Sequence, residues 1–308
     1  MNRDKAATEA ITEMKKLLIK AFPHLHVYFS TSHIHDQFRD PPQPLSRIIN
    51  HLVQSGAEGI ELGTSHTIEE LQGGNPETFI QSLMKESVPH IALHNAFPLP
   101  SANFVMSLCT ADNEQREQSI TQAQKGLMLS RVAGARAFGV HPGFLSDTSS
   151  PPDRKGFSFK SNTAPASRGT ALKTLLDSVE KVIQQQNPKQ KSTESAPIFC
   201  VENPPLTQQK GEHLILGEPE ELIWFAEKAE QLGIGLLLDL GHLRVTAATT
   251  GSDPVTLMKK FAPFTRALHI SDNDGSNDAH LMPNKDSWFI SYLDLFTRCK
   301  QITLEVSI

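Results

Sequence analysis

Eight short apolar or β-branched runs recur along this chain, spaced so that a helix fits between neighbours. They span residues 25–31, 58–63, 90–94, 136–141, 198–202, 235–239, 266–271 and 302–306. Amphipathic stretches lie between them, at 44–55, 76–87, 114–134, 169–186, 219–232 and 287–299. Strands that alternate with helices form a parallel sheet, because each helix returns the chain to the starting edge. Eight such units close into a (β/α)8 TIM barrel. A doubly wound open sheet is the rival, and it would gather its site at one switch point. The 308 residues suit one barrel, so a single domain over 1–308 is expected.

The N-terminal segment 1–23 predicts a helix, with Ile11, Met14, Leu17 and Leu18 on one face of Asp4–Phe22. Three residues follow Glu305, which leaves no room for a helix after the last strand. The N-terminal helix is therefore expected in the place of an eighth barrel helix, against strands one and eight. Two stretches read as insertions. Residues 144–168 are rich in Ser and Pro and carry Arg154, Lys155, Lys160 and Arg168. They follow strand four, so they rise on the face where barrel sites form, as a lid or as plain disorder. Residues 184–197 precede strand five and read as a mobile surface loop on the opposite face.

The decisive residues stand at the strand ends. His94, His141, Glu202, Asp239, His269 and Glu305 close the runs HIALHNA, ARAFGVHPG, IFCVENPP, GLLLDLGH, RALHISD and ITLEVS. His242 follows within DLGH, on the expected turn, and Asp278 and His280 form DAH in the next loop. Barrel strands deliver their C-terminal residues to one mouth. Singly, each has a plainer reading: a packed histidine, or loop polarity for Asp-x-His. Jointly they conflict with burial, because a lone buried carboxylate is very costly. Four acids and five histidines at one mouth call for cations. Roughly two to three divalent ions resolve the conflict, with zinc the first choice and manganese the second. His33 and His35 follow strand one, Glu61 ends strand two, His66 lies just beyond it, and Arg244 follows DLGH. His33, His66 and Arg244 are candidate substrate contacts, and Glu61 is a candidate buried partner orienting a ligand histidine.

The formal net charge of -5 gives no global basic field, so nucleic acid stays open but is not favoured. Cys109, Cys200 and Cys299 are odd in number and widely spaced, which excludes a disulfide framework and points to a reducing cytoplasm. The stretch MNRDKAATEAITEMKKLLIK has no continuous apolar core, so neither a signal peptide nor a membrane span is expected there.

The ordered motifs HNAFPLP, HPG, ENP, DLGH, HISD, DAH and LEV resemble the endonuclease IV and xylose-isomerase-like TIM-barrel superfamily over residues 25–308. The endonuclease IV branch implies three zinc ions. His94 and His141 would hold one, with Glu202 bridging to a second. Asp239, His269 and Glu305 would complete the second, and His242, Asp278 and His280 would hold the third. The sugar isomerase and epimerase branch implies one ion, on Glu202, Asp239, His269 and Glu305. The wording HISDNDGSNDAH also looks like that branch. Two features depart from related chains. LMPNKDSW stands where they carry a Gly-rich segment after Asp-x-His. The DNA-penetrating side chains have no clear match either, Phe97 and Leu99 being candidates for that role or for the core.

The expected activity is a metal-dependent phosphoester hydrolase acting on a small-molecule or nucleotide-like substrate rather than DNA. The alternative is a metal-dependent sugar isomerase or epimerase, with Glu202 and Glu305 as its acid/base pair. A non-catalytic metal- or partner-binding barrel is the third reading. The oligomeric state is not legible.

Overall fold

The structure is a computed structural model. It describes residues 3–32, 44–63, 66–71, 74–86, 88–101, 103–146, 148–149, 158–159, 167–184, 196–209 and 211–307. Eight parallel strands form one sheet: β1 (Val27–Ser30), β2 (Gly59–Leu62), β3 (His90–Leu93), β4 (Ala137–Val140), β5 (Ile198–Glu202), β6 (Gly235–Asp239), β7 (Thr265–Ile270) and β8 (Gln301–Leu304). They are hydrogen-bonded in the order β3-β2-β1-β8-β7-β6-β5-β4. The outer two strands, β3 and β4, meet at a seam. There a bridge between His94 and Gly139, with the Asn95 amide donating to the Gly139 carbonyl at 2.7 Å, nearly closes the barrel.

Period-two alternation sorts the side chains. Phe29, Ile60, Ile91, Phe138, Phe199 and Leu236 point outward into the main core shared with the helices. Ala137, Cys200, Leu237 and Ala267 form a small apolar plug inside the barrel. The same inward phase, carried to the strand ends, delivers Glu61, His94, Glu202, Asp239 and His269. Inside the barrel Gly139 leaves room for its neighbour: a Cβ there would lie 2.2 Å from Leu237 Cδ1.

The helices are α1 (Arg3–Ala21), α2 (Leu45–Gln54), α3 (Pro76–Glu86), α4 (Asn113–Val132), α5 (Arg168–Gln184), α6 (Pro219–Gln231), α7 (Leu240–Thr250) and α8 (Pro254–Phe261). Helix α1 buries Ile11, Met14 and Leu18 and packs against β1. Its Lys15 donates to the Gly56 carbonyl and pairs with Glu58 at 2.6 Å, fastening the helix to the turn before β2. The expected helix over 287–299 is instead a 3-10 helix, Ile290–Leu295. Its Ile, Tyr and neighbouring Phe residues are poor helix formers. Burying Phe289, Leu293 and Phe296 together is met by i→i−3 bonds from Tyr292 and Phe296.

Of the expected lid, the described part includes a two-residue antiparallel pair, Thr148–Ser149 with Ser158–Phe159. The Phe159 ring stacks on His213 at 4.1 Å. Residues 147, 150–157 and 160–166 of that insertion, and 185–195 of the expected surface loop, lie outside the described residues, while Arg168 opens α5. Among the described residues no helix is long and apolar enough to cross a membrane.

Candidate metal centre

The nine strand-end and loop residues converge into three adjoining groups, each with ligand atoms within 4.8 Å of one another. In the first, Glu202 Oε2 lies 2.9 Å from His94 Nε2 and 3.0 Å from His141 Nε2. In the second, His269 Nδ1 lies 2.9 Å from Glu305 Oε2, 3.5 Å from Glu202 Oε1 and 3.9 Å from Asp239 Oδ2. In the third, Asp278 Oδ2 lies 3.0 Å from His242 Nε2 and 2.9 Å from His280 Nε2. Glu202 thus belongs to two groups through its two oxygens. His242 Nε2, 4.0 Å from Asp239 Oδ2, links the second group to the third.

Local structure aims these side chains. Asp239 ends β6 and also caps α7, accepting the His242 amide at 2.7 Å. His242 therefore sits in the first turn of a helix, not on the expected turn. Asn203 holds the same corner. It accepts from the Asp239 amide at 2.8 Å and donates to the Asp239 carbonyl at 3.1 Å, and its own carbonyl meets His242 Nδ1 at 2.8 Å. That contact makes Nδ1 the protonated nitrogen of a neutral His242 and turns Nε2 toward the centre. Asn95 holds the His141 ring at the seam by the opposite contact, its side-chain amide nitrogen donating toward Nδ1 at 3.3 Å. His280 takes a left-handed backbone, φ 46, and is clamped at the barrel rim. Its Nδ1 donates to the Glu305 carbonyl at 3.0 Å, and its own carbonyl accepts from the Ser307 amide.

The electrostatics without ions are those of tightly packed opposite charges. Burial disfavours the His94, His242 and His269 imidazolium ions, but the surrounding carboxylates win and raise all three. His280 is likewise pushed up to about 9, burial opposing and Asp278 and Glu305 favouring the charged form. Glu202 is held well below the usual carboxylate range, because His141 and His94 outweigh its burial. Asp239 goes the other way, to about 6, through burial and the repulsion of Asp278, Glu305 and Glu202.

The residues fit divalent ions. Glu202 Oε1, Asp239 Oδ2 and Asp278 Oδ1 are buried without a hydrogen-bond partner. Such orphan oxygens are costly unless a cation answers them. A set of imidazole and carboxylate donors matches zinc or manganese.

The other expected site residues fare differently. Arg244 is committed to Asp272, donating at 2.7 Å. His66 is buried beyond β2, its carbonyl accepting the Leu99 amide, and belongs to none of the groups among the described residues. His33 and His35 lie outside the described residues. Phe97 and Leu99 are core residues, 0% and 5% exposed, so neither is a wedge. The supporting roles of Asn95 and Asn203 were missed, although both directly follow a strand-end ligand-type residue, in HNA and ENP.

A family model described as xylose isomerase-like TIM barrel matches residues 49–302. No curated protein sequence matches the chain. Among solved structures, a D-tagatose 3-epimerase-like protein aligns with TM-score 0.64 at 15% identity, covering 92% of each chain. The 3-keto-D-glucoside 4-epimerase YcjR from E. coli aligns with TM-score 0.58 at 11% identity, covering 92% of this chain and 93% of that one. Endonuclease IV from Thermus thermophilus aligns with TM-score 0.51 at 14% identity, covering 90% of this chain and 91% of that one. At such identities the likeness shows the fold alone. The family match spans most of the barrel, from α2 to β8, and on that ground the chain belongs to the xylose isomerase-like TIM-barrel family.

Proposed function

We propose that this protein is a metal-dependent phosphoester hydrolase acting on a small-molecule or nucleotide-like substrate. One observation carries the reading. Asp278, held between His242 and His280 with Oδ1 unpartnered, forms a third group beside the two that share Glu202. A single-ion isomerase needs only Glu202, Asp239, His269 and Glu305, and it leaves this third group without a task. Several adjoining cation sites suit a phosphoryl group, which presents several anionic oxygens at once.

In this reading His94 and His141 hold the first ion with Glu202. Asp239, His269 and Glu305 hold the second, again with Glu202. His242, Asp278 and His280 hold the third. Bound divalent ions supply Lewis acidity toward phosphoryl oxygens and lower the pKa of water from about 15.7 toward about 7. The chain's own part is to fix the ligands. Asn203, Asn95 and the α7 N-terminus orient them, while the Ala137, Cys200, Leu237 and Ala267 plug excludes water from below. Arg244 gives Nη1 to Asp272 and keeps further guanidinium N–H groups with which to meet a substrate anion. His33 and His66 remain proposed substrate contacts on the strength of their place after β1 and β2. Three buried free thiols support a reducing, cytoplasmic setting.

A second reading has its own support. Glu202, Asp239, His269 and Glu305 form the one group of the three whose members are all buried. The Glu202 and Glu305 carboxylates both reach His269 Nδ1, at 3.5 and 2.9 Å, and would be the acid/base pair for moving a proton of a sugar-like ketose. Two assays on one zinc- or manganese-loaded preparation separate the readings. A hydrolase cleaves bis(p-nitrophenyl) phosphate and loses that activity in Asp278→Asn. An epimerase exchanges a ketohexose carbon-bound proton with solvent deuterium and keeps that activity in Asp278→Asn.

A further inference from the structure

Glu61 is buried, 1% exposed, at the end of β2, and no arginine or lysine pairs with it among the described residues. Such a carboxylate must be compensated from within. Its Oε2 accepts from Thr303 Oγ1 at 2.8 Å and from Gln301 Nε2 at 3.2 Å, both on β8. Gln301 is pinned in turn, because its Oε1 accepts the Ala137 amide at 3.1 Å, on the seam strand β4. The carboxylate is thereby locked from below, with Oε1 turned to the site. That oxygen lies 2.9 Å from His269 Nε2, in a bent approach that leaves neither atom an aligned hydrogen bond. His94 joins them: one ring nitrogen from each histidine and a Glu61 oxygen fall within 4.8 Å of one another. The two rings meet edge-on at 4.7 Å.

His269 therefore has carboxylates on both sides. Nδ1 makes the aligned hydrogen bond, to Glu305 Oε2 at 2.9 Å, and also faces Glu202 and Asp239, while Nε2 faces Glu61. A neutral imidazole can offer a lone pair on one nitrogen only. Which nitrogen carries the proton decides whether the centre gains a ligand or a repelling N–H.

We propose that Glu61 is a positioning residue of the metal centre: when a cation takes the place of the Nδ1 proton now shared with Glu305, Glu61 receives the proton of His269 on Nε2, so that the Nδ1 lone pair faces the Glu202–Asp239–Glu305 group. Thr303 and Gln301 keep Glu61 in place for this. The inference rests on the metal reading above, and it holds equally for a hydrolase or an epimerase. A ring nitrogen of His94 also lies within 4.8 Å of a Glu61 oxygen, so the two groups joined by Glu202 should respond to Glu61 together. The His242–Asp278–His280 group does not, since Glu61 touches none of its members.

The test is Glu61→Gln, with Thr303→Val as a second variant that leaves every ligand-type side chain in place and removes one hydrogen bond to Glu61. Zinc retained per chain is measured after dialysis against graded chelator. Ring-nitrogen correlations of 15N-labelled histidines are recorded on the zinc-loaded proteins. Glu61→Gln should weaken zinc at two sites by about 10- to 100-fold while the third site stays unchanged. Thr303→Val should weaken the same two sites by less. The wild type should show His269 protonated on Nε2, and that signature should be lost in Glu61→Gln. Equal zinc retention in wild type and Glu61→Gln overturns the positioning role alone. Equal weakening of all three sites also overturns it, because that is a general structural defect. A fourth zinc ion that disappears in Glu61→Gln makes Glu61 a ligand and overturns it too. A wild type that takes up no zinc overturns the metal reading itself.

Discussion

Stripping the ions should lower thermal stability by an amount that counts the sites. At a free zinc concentration 100-fold above the dissociation constant, each site adds about 2.7 kcal/mol. Unfolding entropy near the midpoint is about 2.1 cal/mol/K per residue, or ~0.65 kcal/mol/K over 308 residues. One kcal/mol then moves Tm by ~1.5 °C, so one ion is worth ~4 °C and three ions ~12 °C. The variants divide this gain. Glu202→Gln keeps the side-chain shape but removes the charge shared by the His94–His141 and His269–Glu305 groups. Its zinc-dependent gain should fall to ~4 °C, that of the third group alone. Asp278→Asn touches only the third group and should keep ~8 °C. Calorimetry of each variant with zinc and with chelator gives each gain against that variant's own stripped state. The cost of disturbing buried ion pairs cancels in that difference. Equal gains for the two variants, or no gain left in Asp278→Asn, would refute the assignment of Glu202 to two sites.

Three other outcomes can be checked. The His26 and His90 rings stack at 3.6 Å on the opposite face of the barrel, and burial followed by His26 holds the His90 pKa below its ordinary value. The unfolded chain therefore takes up that proton first. The stabilisation is complete above pH about 6.5 and is lost as pH falls through the lowered pKa of His90. His90→Gln should flatten the acid limb of a Tm-against-pH curve below pH about 6.5, and an unchanged limb contradicts this. A Cβ on Gly126 of α4 would lie 2.2 Å from Phe138 Cζ, so Gly126→Ala should destabilise despite its better helix propensity. Overpacking of about 1–3 kcal/mol against a gain of about 1 kcal/mol leaves a net loss near 1 kcal/mol in denaturant melts. Adding Phe138→Leu should cost less than the sum of the single changes. With net charge -5 and Phe97 and Leu99 in the core, binding to duplex DNA with an abasic site should be weak and steeply salt-dependent. Efficient incision at physiological salt contradicts the proposed substrate class.

The strands were legible because parallel strands buried on both faces read as short, nearly continuous apolar runs. Each observed strand falls within a residue or two of its expected bounds, as with 235–239 and Gly235–Asp239. His94, His141, Glu202, Asp239, His269 and Glu305 were legible for the same reason, since each closes such a run in the inward phase, whereas Asp278 and His280 were read from the Asp-x-His spacing alone. His242 was misplaced because Asp239 is at once the last strand residue and the helix cap, leaving no linker to mark the boundary. The stretch 287–299 misled because its spacing of apolar residues serves a 3-10 helix as well as an α-helix. The Glu61 lock could not be read from spacing at all. Gln301 and Thr303 stand 240 and 242 residues away from it, and only barrel closure brings β8 beside the neighbours of β2.

The most direct test of the central claim is the number of tightly bound ions per chain. Zinc and manganese should be measured by mass spectrometry on protein purified without chelator, together with His141→Ala and His280→Ala. A three-group centre predicts roughly two to three ions in the wild type and a loss of about one in each variant. One ion per chain, unchanged by either substitution, contradicts it and leaves only the Glu202–Asp239–His269–Glu305 group as the working site.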